Sequence, residues 1–272
     1  MQKYSQTLFY LCEMRAVFFL LLAIVCFSCD PPAKPQVASP PATPSRDSAP
    51  DTISPAKADT VPHREVRSYS PAEQQLLDSG LTDIYTLDST FIVDLRYSTD
   101  SNFLGMDVYG DLDKAFLQPE IAKRLLLAQK ALQEKHPGYS LIIYDAVRPM
   151  RIQRLMWDTL DLPRGQKQKY LSNPANGGSL HNYGAAVDVS IADENGRPLD
   201  MGTPYDFFGE KAHPVLEKTM LDSGILTLQQ IHNRELLRFV MKKGGFWNIQ
   251  TEWWHFNACT RAEAMERYRL VE

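Results

Sequence analysis

Two segments of the sequence carry side chains that could bind a metal ion. In the first, His181 stands just before an alternating stretch and Asp188 lies within it, with Gly184 and two alanines between them. In the second, EWWH, Glu252 is followed three positions later by His255. Two imidazoles, one carboxylate ligand and one spare carboxylate are the inventory of a catalytic zinc site with three protein ligands and an open position for water. Zinc lowers the pKa of such a water to about 7, and a nearby glutamate could take its proton and return it to a leaving amine.

Each segment taken alone has a simpler interpretation. A histidine and an aspartate at this spacing are more often a surface histidine and a capping aspartate, and Glu-x-x-His is common by chance. Geometry adds a condition, because residues i and i+3 of a regular strand point to opposite faces of the sheet. Glu252 and His255 can therefore serve one metal only if Glu252 lies in the turn before the strand, or if a bulge redirects its side chain.

The elements that must position these residues mix strands with helices. Ser70 and Glu73 form a capping box around Pro71, which predicts a short helix, and Pro119 opens a longer helix that ends near His136. Periodicity and composition predict further strands over 91–97, 139–146, 185–191 and 252–256, and further helices over 151–160, 227–243 and 261–268. Because no strict βαβ rhythm is present, we expect an α+β fold: a single domain with a mixed, partly antiparallel sheet flanked by helices, and the zinc site at the sheet.

The first 29 residues have the pattern of an export signal. Residues 16–27 form an uncharged apolar run of 12, which is shorter than the roughly 20 residues of a membrane span. Lys3 and Arg15 supply positive charge before this run, as in a secretory signal. The run ends at Ser28 and Cys29 and resembles a bacterial lipoprotein signal, in which the cysteine is lipidated and becomes the mature N-terminus. Simple secretion or an uncleaved signal anchor is the alternative.

The composition of the chain divides it into three parts. Residues 30–62 hold 9 of the 18 prolines and no aromatic residue, which predicts a disordered tether between the signal/lipoprotein segment (1–29) and a folded domain (63–272). We expect the protein in the periplasm or cell envelope, with membrane contact only through an N-terminal lipid anchor. The formal net charge of −4 argues against a dedicated nucleic-acid-binding protein.

Five motifs of the sequence resemble those of one enzyme family. SLHNYGAAVD (179–188) resembles the S-x-H-x-x-G-x-A-x-D signature of the D-Ala-D-Ala dipeptidases, the VanX-type zinc peptidases, and EWWH (252–255) resembles their Glu-x-Trp-His element. Three further segments resemble the Tyr-x-x-x-x-N-F-x-G, D-x-x-R-P and M-G-x-x-x-D-F motifs of the family: 97–105, 145–149 and 201–207. The five motifs follow the order of the family and extend over nearly the whole domain, so coincidence does not account for them.

The resemblance implies a role for each matching residue. His181, Asp188 and His255 would be the ligands of one Zn²⁺ per chain. Glu252 would be the general base that activates water and later protonates the leaving amino group. Arg148 would stabilise the tetrahedral oxyanion, a task that suits a planar and permanently charged guanidinium.

The resemblance also implies which residues contact the substrate. Asp206 would pair with the free ammonium group of a dipeptide, and a longer peptide would place an uncharged amide against this carboxylate. Tyr97 and Ser179 would line the dipeptide pocket. Asp206 could instead cap a helix that begins near Phe207, and Tyr97 could be a core residue.

The function predicted from the resemblance is zinc-dependent hydrolysis of D-Ala-D-Ala or a similar D,D-dipeptide, in cell-wall peptide turnover or scavenging. One alternative is a peptidoglycan D,D- or L,D-carboxypeptidase, whose long acyl substrate does not suit Asp206. Another is a non-catalytic, zinc-stabilised surface binding module, which would need neither Glu252 nor Arg148 and would normally have a fourth protein ligand. Arg148 could also be a structural arginine paired with Asp145.

Overall fold

The computed structural model describes residues 68–272. The strands, in chain order, are β1 (Thr82–Asp83), β2 (Ile92–Val93), β3 (Phe116–Leu117), β4 (Ser140–Asp145), β5 (Ala186–Ala192), β6 (Trp247–Asn248) and β7 (His255–Asn257). The α-helices are α1 (Pro71–Asp78), α2 (Pro119–Lys135), α3 (Met150–Thr159), α4 (Arg164–Lys167), α5 (Glu217–Asp222), α6 (Leu228–Lys243) and α7 (Arg261–Arg267). The signal, tether and Cys29 predictions lie outside the described residues.

A five-stranded sheet forms the centre of the fold, in the order β2-β4-β5-β7-β6. Strand β2 is parallel to β4, whereas the other neighbouring strands are antiparallel. A separate antiparallel pair joins β1 to β3. These strands and the seven α-helices of the described region confirm the predicted α+β class with a mixed, partly antiparallel sheet.

The core is built around the two longest strands, β4 and β5, whose residues are all buried. Helix α2 covers this sheet with an apolar stripe, since Ile121, Leu125 and Leu132 are completely buried. Gln129 of the same stripe is buried too, and its side-chain oxygen accepts a hydrogen bond from Leu141 N at 2.8 Å. The amide therefore fixes the helix against β4 without leaving an unsatisfied polar group in the core.

The capping box at the start of α1 forms as predicted. Ser70 Oγ accepts a hydrogen bond from Glu73 N at 3.2 Å, and the Glu73 carboxylate accepts one from Ser70 N at 3.0 Å. The same carboxylate also accepts a hydrogen bond from Lys114 Nζ at 2.9 Å, so this buried charge is compensated. No helix within residues 68–272 has the length and apolar character needed to cross a membrane.

Two predicted strands are shorter in the structure. Only Ile92–Val93 of the predicted strand 91–97 pairs in the sheet, and a short 3-10 helix, Arg96–Ser98, follows and buries Tyr97. The strand predicted from 252 begins at His255. Strands of two residues, such as β1, β3 and β6, are too short to show a periodicity in the sequence, which is why they were not predicted.

The last described residues are hydrogen-bonded into the domain. Val271 N donates to the carbonyl of Asn182, at 2.8 Å, and Val271 O accepts a hydrogen bond from Met150 N at 2.7 Å. Val271 thus joins the segment around His181 to the first turn of α3.

Candidate metal centre and substrate cavity

His181, Asp188 and His255 come together on one side of the sheet. Asp188 lies in β5 and His255 is its direct partner in β7, because the antiparallel register places these two residues opposite one another. His181 belongs to the 3-10 helix Leu180–Tyr183, which leads into β5. The Asp188 Oδ1 atom lies 2.9 Å from His255 Nδ1 and 3.3 Å from His181 Nε2, and the two ring nitrogens are 3.1 Å apart.

In each imidazole ring, the nitrogen that points away from Asp188 donates a hydrogen bond to an oxygen. His181 Nδ1 donates to the carbonyl oxygen of Ala146 at 2.7 Å, and His255 Nε2 donates to Asn257 Oδ1 at 2.8 Å. An oxygen of this kind can only accept, so the proton lies on His181 Nδ1 and on His255 Nε2. When the rings are neutral, His181 Nε2 and His255 Nδ1 therefore carry lone pairs. Two lone pairs and a carboxylate oxygen that face one another require a cation between them. The three residues could therefore hold a metal ion.

The charges of the group depend on one another. Burial disfavours the charged form of Asp188, but the charges and hydrogen bonds of His181 and His255 lower the pKa of this carboxylate. Burial likewise opposes protonation of His255, yet its hydrogen bond to Asp188 and the charge of that carboxylate raise the pKa of His255 to about 9. Without a metal, a proton takes the place of the cation, so metal binding at neutral pH releases a proton.

Glu252 lies in the turn before β7, which is the placement that a shared site with His255 requires. Asn248 Nδ2 holds this turn, because it donates to the carbonyl oxygens of Glu252 and His255, each at 2.8 Å. Burial is the main cause that raises the pKa of Glu252, and Asp188 adds to the increase, while His255 and His181 oppose it. A carboxylate whose pKa is raised towards neutrality is a suitable general base.

Arg148 is buried and held on one side by a network of hydrogen bonds. Its Nε donates to Asp145 Oδ2 at 3.1 Å and its Nη2 to the same oxygen, while Nη1 donates to Gln153 Oε1 at 3.0 Å. Tyr109 OH donates to the other oxygen of Asp145. Arg148 therefore pairs with Asp145 and also lines the cavity. These contacts leave the remaining N–H donors of its guanidinium unused.

Asp206 has an unusual backbone and an unusual side chain. It is the non-glycine residue with positive φ (59°) within the described region, and only one of its carboxylate oxygens is satisfied. Tyr97 OH donates to Oδ1 at 3.2 Å, whereas Oδ2 is buried without a hydrogen-bond partner. Burial and then the charge of Asp188 raise the pKa of Asp206 well above its usual value. In the described region no helix begins at Phe207, so Asp206 does not cap one.

All eight site residues predicted in the folded part line one cavity of 620 Å³: Tyr97, Arg148, Ser179, His181, Asp188, Asp206, Glu252 and His255. Tyr97 is buried, with the Arg148 guanidinium 5.0 Å from its ring centre. Ser179 precedes the 3-10 helix of His181, and its backbone N–H donates to Asn182 Oδ1 at 2.7 Å. A second cavity of 690 Å³, near α1 and the end of the chain, contains none of the predicted site residues.

Three residues that contact the site were not found from the sequence. Tyr205 OH donates to Asp188 Oδ2 at 2.9 Å, Asn257 orients His255, and Tyr109 supports Asp145. Asn257 follows His255 by two positions, and this spacing in a strand places both side chains on one face, which was an available signal. Nothing in the local sequence pattern marks Tyr109.

Comparison with known proteins identifies the family. The family model described as D-Ala-D-Ala dipeptidase, of the M15 peptidases, matches residues 78–270. The chain belongs to this family. It is 31% identical over 180 residues to the D-alanyl-D-alanine dipeptidase of Escherichia coli (strain K12), an alignment that covers 65% of this chain and 83% of the relative. It is 28% identical over 177 residues to the D-alanyl-D-alanine dipeptidase of Enterococcus faecium, with 60% and 83% covered.

Membership of the D-Ala-D-Ala dipeptidase family makes the protein a metallopeptidase of the dipeptidase type, as the motifs predicted. The M15 peptidases are metal-dependent, and the group of His181, Asp188 and His255 could hold the metal. Among solved structures, the LdcB LD-carboxypeptidase matches with a TM-score of 0.34 and 19% identity, over 56% of this chain and 63% of that chain.

Proposed function

We propose that this dipeptidase hydrolyses D-Ala-D-Ala or a similar D,D-dipeptide, with a zinc ion held by His181, Asp188 and His255. The observation that carries the proposal is the second carboxylate oxygen of Asp206, which is buried without a partner in the cavity that also contains the candidate metal ligands. A buried carboxyl oxygen without a donor needs a partner, and the ammonium group of a dipeptide supplies both a donor and the charge that favours the ionised carboxylate. The names of the relatives from E. coli and E. faecium agree with this substrate class.

The donor set fits zinc. Imidazole nitrogen and carboxylate oxygen are ordinary zinc ligands, and ligand distances of about 2.0–2.1 Å in a tetrahedral site place donor atoms about 3.3 Å apart. The donor atoms of His181, Asp188 and His255 are separated by 2.9 to 3.3 Å, close to this spacing. Three protein ligands leave one position for water, and bound zinc would lower the pKa of that water to about 7.

The residues around this site supply the remaining chemistry. Glu252 takes a proton from the attacking water and delivers it to the amine that leaves when the peptide C–N bond breaks. The free N–H donors of Arg148 meet the negative charge that develops on the scissile carbonyl oxygen. Because Asp145 and Gln153 already hold the guanidinium, little reorientation is needed during the reaction.

Asp206 sets the length of the substrate in this proposal. Its carboxylate pairs with the substrate ammonium group, and an uncharged amide at the same position would leave the buried carboxylate unpaired. Tyr97 orients Asp206 through its hydrogen bond, and Ser179 contributes to the wall of the dipeptide pocket.

The decisive experiment is an assay of alanine release by the purified, zinc-loaded protein. D-Ala-D-Ala is compared with L-Ala-L-Ala and with a pentapeptide that ends in D-Ala-D-Ala. We expect cleavage of the D,D-dipeptide alone, and loss of this cleavage when a chelator removes the metal. Cleavage of the pentapeptide would instead support a carboxypeptidase, and inertness towards all three substrates would support a binding module.

We also propose that the protein acts at the cell envelope and is lipid-anchored at Cys29. The proposal is supported by the apolar run 16–27, the Ser28-Cys29 pair and the proline-rich tether of 30–62. Fractionation of cells that express the full chain tests it. We expect the protein in the membrane fraction and loss of the lipid in Cys29→Ala, whereas a cytosolic wild-type protein would refute an envelope role.

A further inference from the structure

The two carboxylate oxygens of Asp188 have different partners. Oδ1 faces His255 and His181, whereas Oδ2 accepts a hydrogen bond from Tyr205 OH at 2.9 Å. From this arrangement we propose that Tyr205 is a positioning residue, which holds Asp188 with one oxygen towards the metal and couples the metal site to Asp206. The inference rests on the metal site of the proposed function.

Aromatic neighbours restrict the position of the Tyr205 ring. Its ring centre lies 5.0 Å from that of Tyr144, 5.4 Å from that of Trp254 and 6.1 Å from that of Tyr97. A ring packed on several sides has few alternative rotamers, so its hydroxyl is directed at one place.

The hydrogen bond from Tyr205 matters because Asp188 is buried. The Asp188 side chain is only 5% exposed, so water cannot readily replace a missing donor at Oδ2. Without the Tyr205 hydroxyl, the carboxylate would lose a partner that stabilises its charge and would be freer to rotate about its terminal torsion. Partners of metal-binding side chains that orient a ligand in this way typically change metal affinity 10- to 100-fold when removed.

Tyr205 is also the neighbour of Asp206 in the chain. Two hydrogen bonds therefore hold this short segment, from Tyr205 to Asp188 and from Tyr97 to Asp206. Asp206 is kept in a left-handed backbone conformation, which most side chains avoid and which the surrounding contacts must maintain. Removal of the Tyr205 hydroxyl is expected to make two carboxylates less well ordered: that of Asp188, which would bind the metal, and that of Asp206, which would pair with the substrate ammonium group.

The test is Tyr205→Phe, which keeps the ring and removes the hydroxyl. Zinc affinity of the full-length protein is measured by competition with a chromophoric chelator, and KM and kcat for D-Ala-D-Ala are measured at saturating zinc. We expect zinc affinity to fall about tenfold or more, with a higher KM and a smaller change in kcat. Thermal unfolding of the metal-free variant verifies that it folds.

Tyr144→Phe is the matched control. Tyr144 belongs to the same aromatic cluster, but the polar side chains beside its hydroxyl are Ser190 and Arg96 and not a candidate metal ligand. We expect this variant to bind zinc as the wild type does. An equal loss of affinity in both variants would indicate general loosening of the cluster and would overturn the inference.

The wild-type measurement separates the possible failures. If the wild type binds zinc and Tyr205→Phe binds it equally well, Tyr205 has no positioning role, although the proposed dipeptidase function is unaffected. If the wild type does not bind zinc, both the proposed metal site and the inference are wrong.

Discussion

At the scale of single residues, Asp206 combines two features that cost folding free energy. Its backbone has a positive φ, and one oxygen of its buried carboxylate has no partner. Folding alone does not favour such a residue, whereas the proposed recognition of a substrate ammonium group does. Strained and unsatisfied groups of this kind are typical of functional sites.

Asp206→Asn is therefore expected to stabilise the substrate-free protein at neutral pH by about 1–3 kcal/mol while activity is lost. Asparagine tolerates the left-handed conformation and carries no charge. Because the pKa of Asp206 is raised in the folded state, the contribution of Asp206 to stability falls as pH rises from the unfolded-state pKa of about 3.9 towards the folded-state pKa, and the stability difference between variant and wild type grows over the same range. Denaturant unfolding at several pH values would show this, and the two proteins should converge below pH 3.9. A variant that is less stable at neutral pH would contradict the assignment of an unpaired charge.

Glu252 differs from the neighbouring candidate metal ligands, because its carboxylate is not among the three converging donors. We predict that Glu252→Ala retains the metal and loses about 10²- to 10⁴-fold in kcat, the contribution of a general base. Metal content by atomic emission and kcat for D-Ala-D-Ala test this together. His181→Ala is the comparison, since it should lose both metal and activity. Loss of metal from Glu252→Ala would make Glu252 a ligand.

At the scale of elements, the site depends on where strands and short helices begin. The long helix α2 and the strands β4 and β5 were predictable from capping residues and apolar runs. The five motifs also selected the residues that line one cavity. The register that places Asp188 opposite His255, and the hydroxyl of Tyr205 on Asp188, were not predictable, because each depends on contacts between distant segments.

Gly184 ends the 3-10 helix Leu180–Tyr183, which contains His181, and leads into β5. It has a φ of 63°, and an added Cβ would lie 3.2 Å from Leu81 Cδ2 and 3.3 Å from Gln118 N. We predict that Gly184→Ala costs about 1–2 kcal/mol in backbone strain and also weakens metal binding, because His181 must move. Gly196→Ala is the control, since Gly196 also has positive φ (75°) but open space around it. Chelator competition should show lower metal affinity in Gly184→Ala only, and unchanged affinity there would refute the link to His181.

At the scale of the whole molecule, the cavity carries charges of both signs that suit a small zwitterion. Asp188, Asp206 and Glu252 line it together with the buried Arg148, and its 620 Å³ lies within the range of small-molecule sites. The three candidate ligands come from β5, β7 and a 3-10 helix, so a bound metal would join separate parts of the chain.

Removal of the metal should therefore lower the stability of the whole domain. At a free zinc concentration 1,000 times the Kd, binding stabilises the folded state by about 4 kcal/mol, which for a domain of this size corresponds to roughly 8–16 °C in Tm. Calorimetry of the zinc-loaded and chelator-treated protein measures the shift. His255→Ala serves as the control, because a protein without the site should show no shift. An identical Tm for both wild-type forms would contradict a metal site that joins these elements.

The two backbone hydrogen bonds of Val271 make the site sensitive to proteolysis at a distance from the cavity. This residue links the Asn182 carbonyl, next to His181, with the start of α3, which follows Arg148 and Pro149. A protease that cut the chain just before Val271 would remove both links without entering the cavity. Activity would then be lost through cleavage at a distance from the reacting groups, and intact mass would be a better measure of active protein than total concentration.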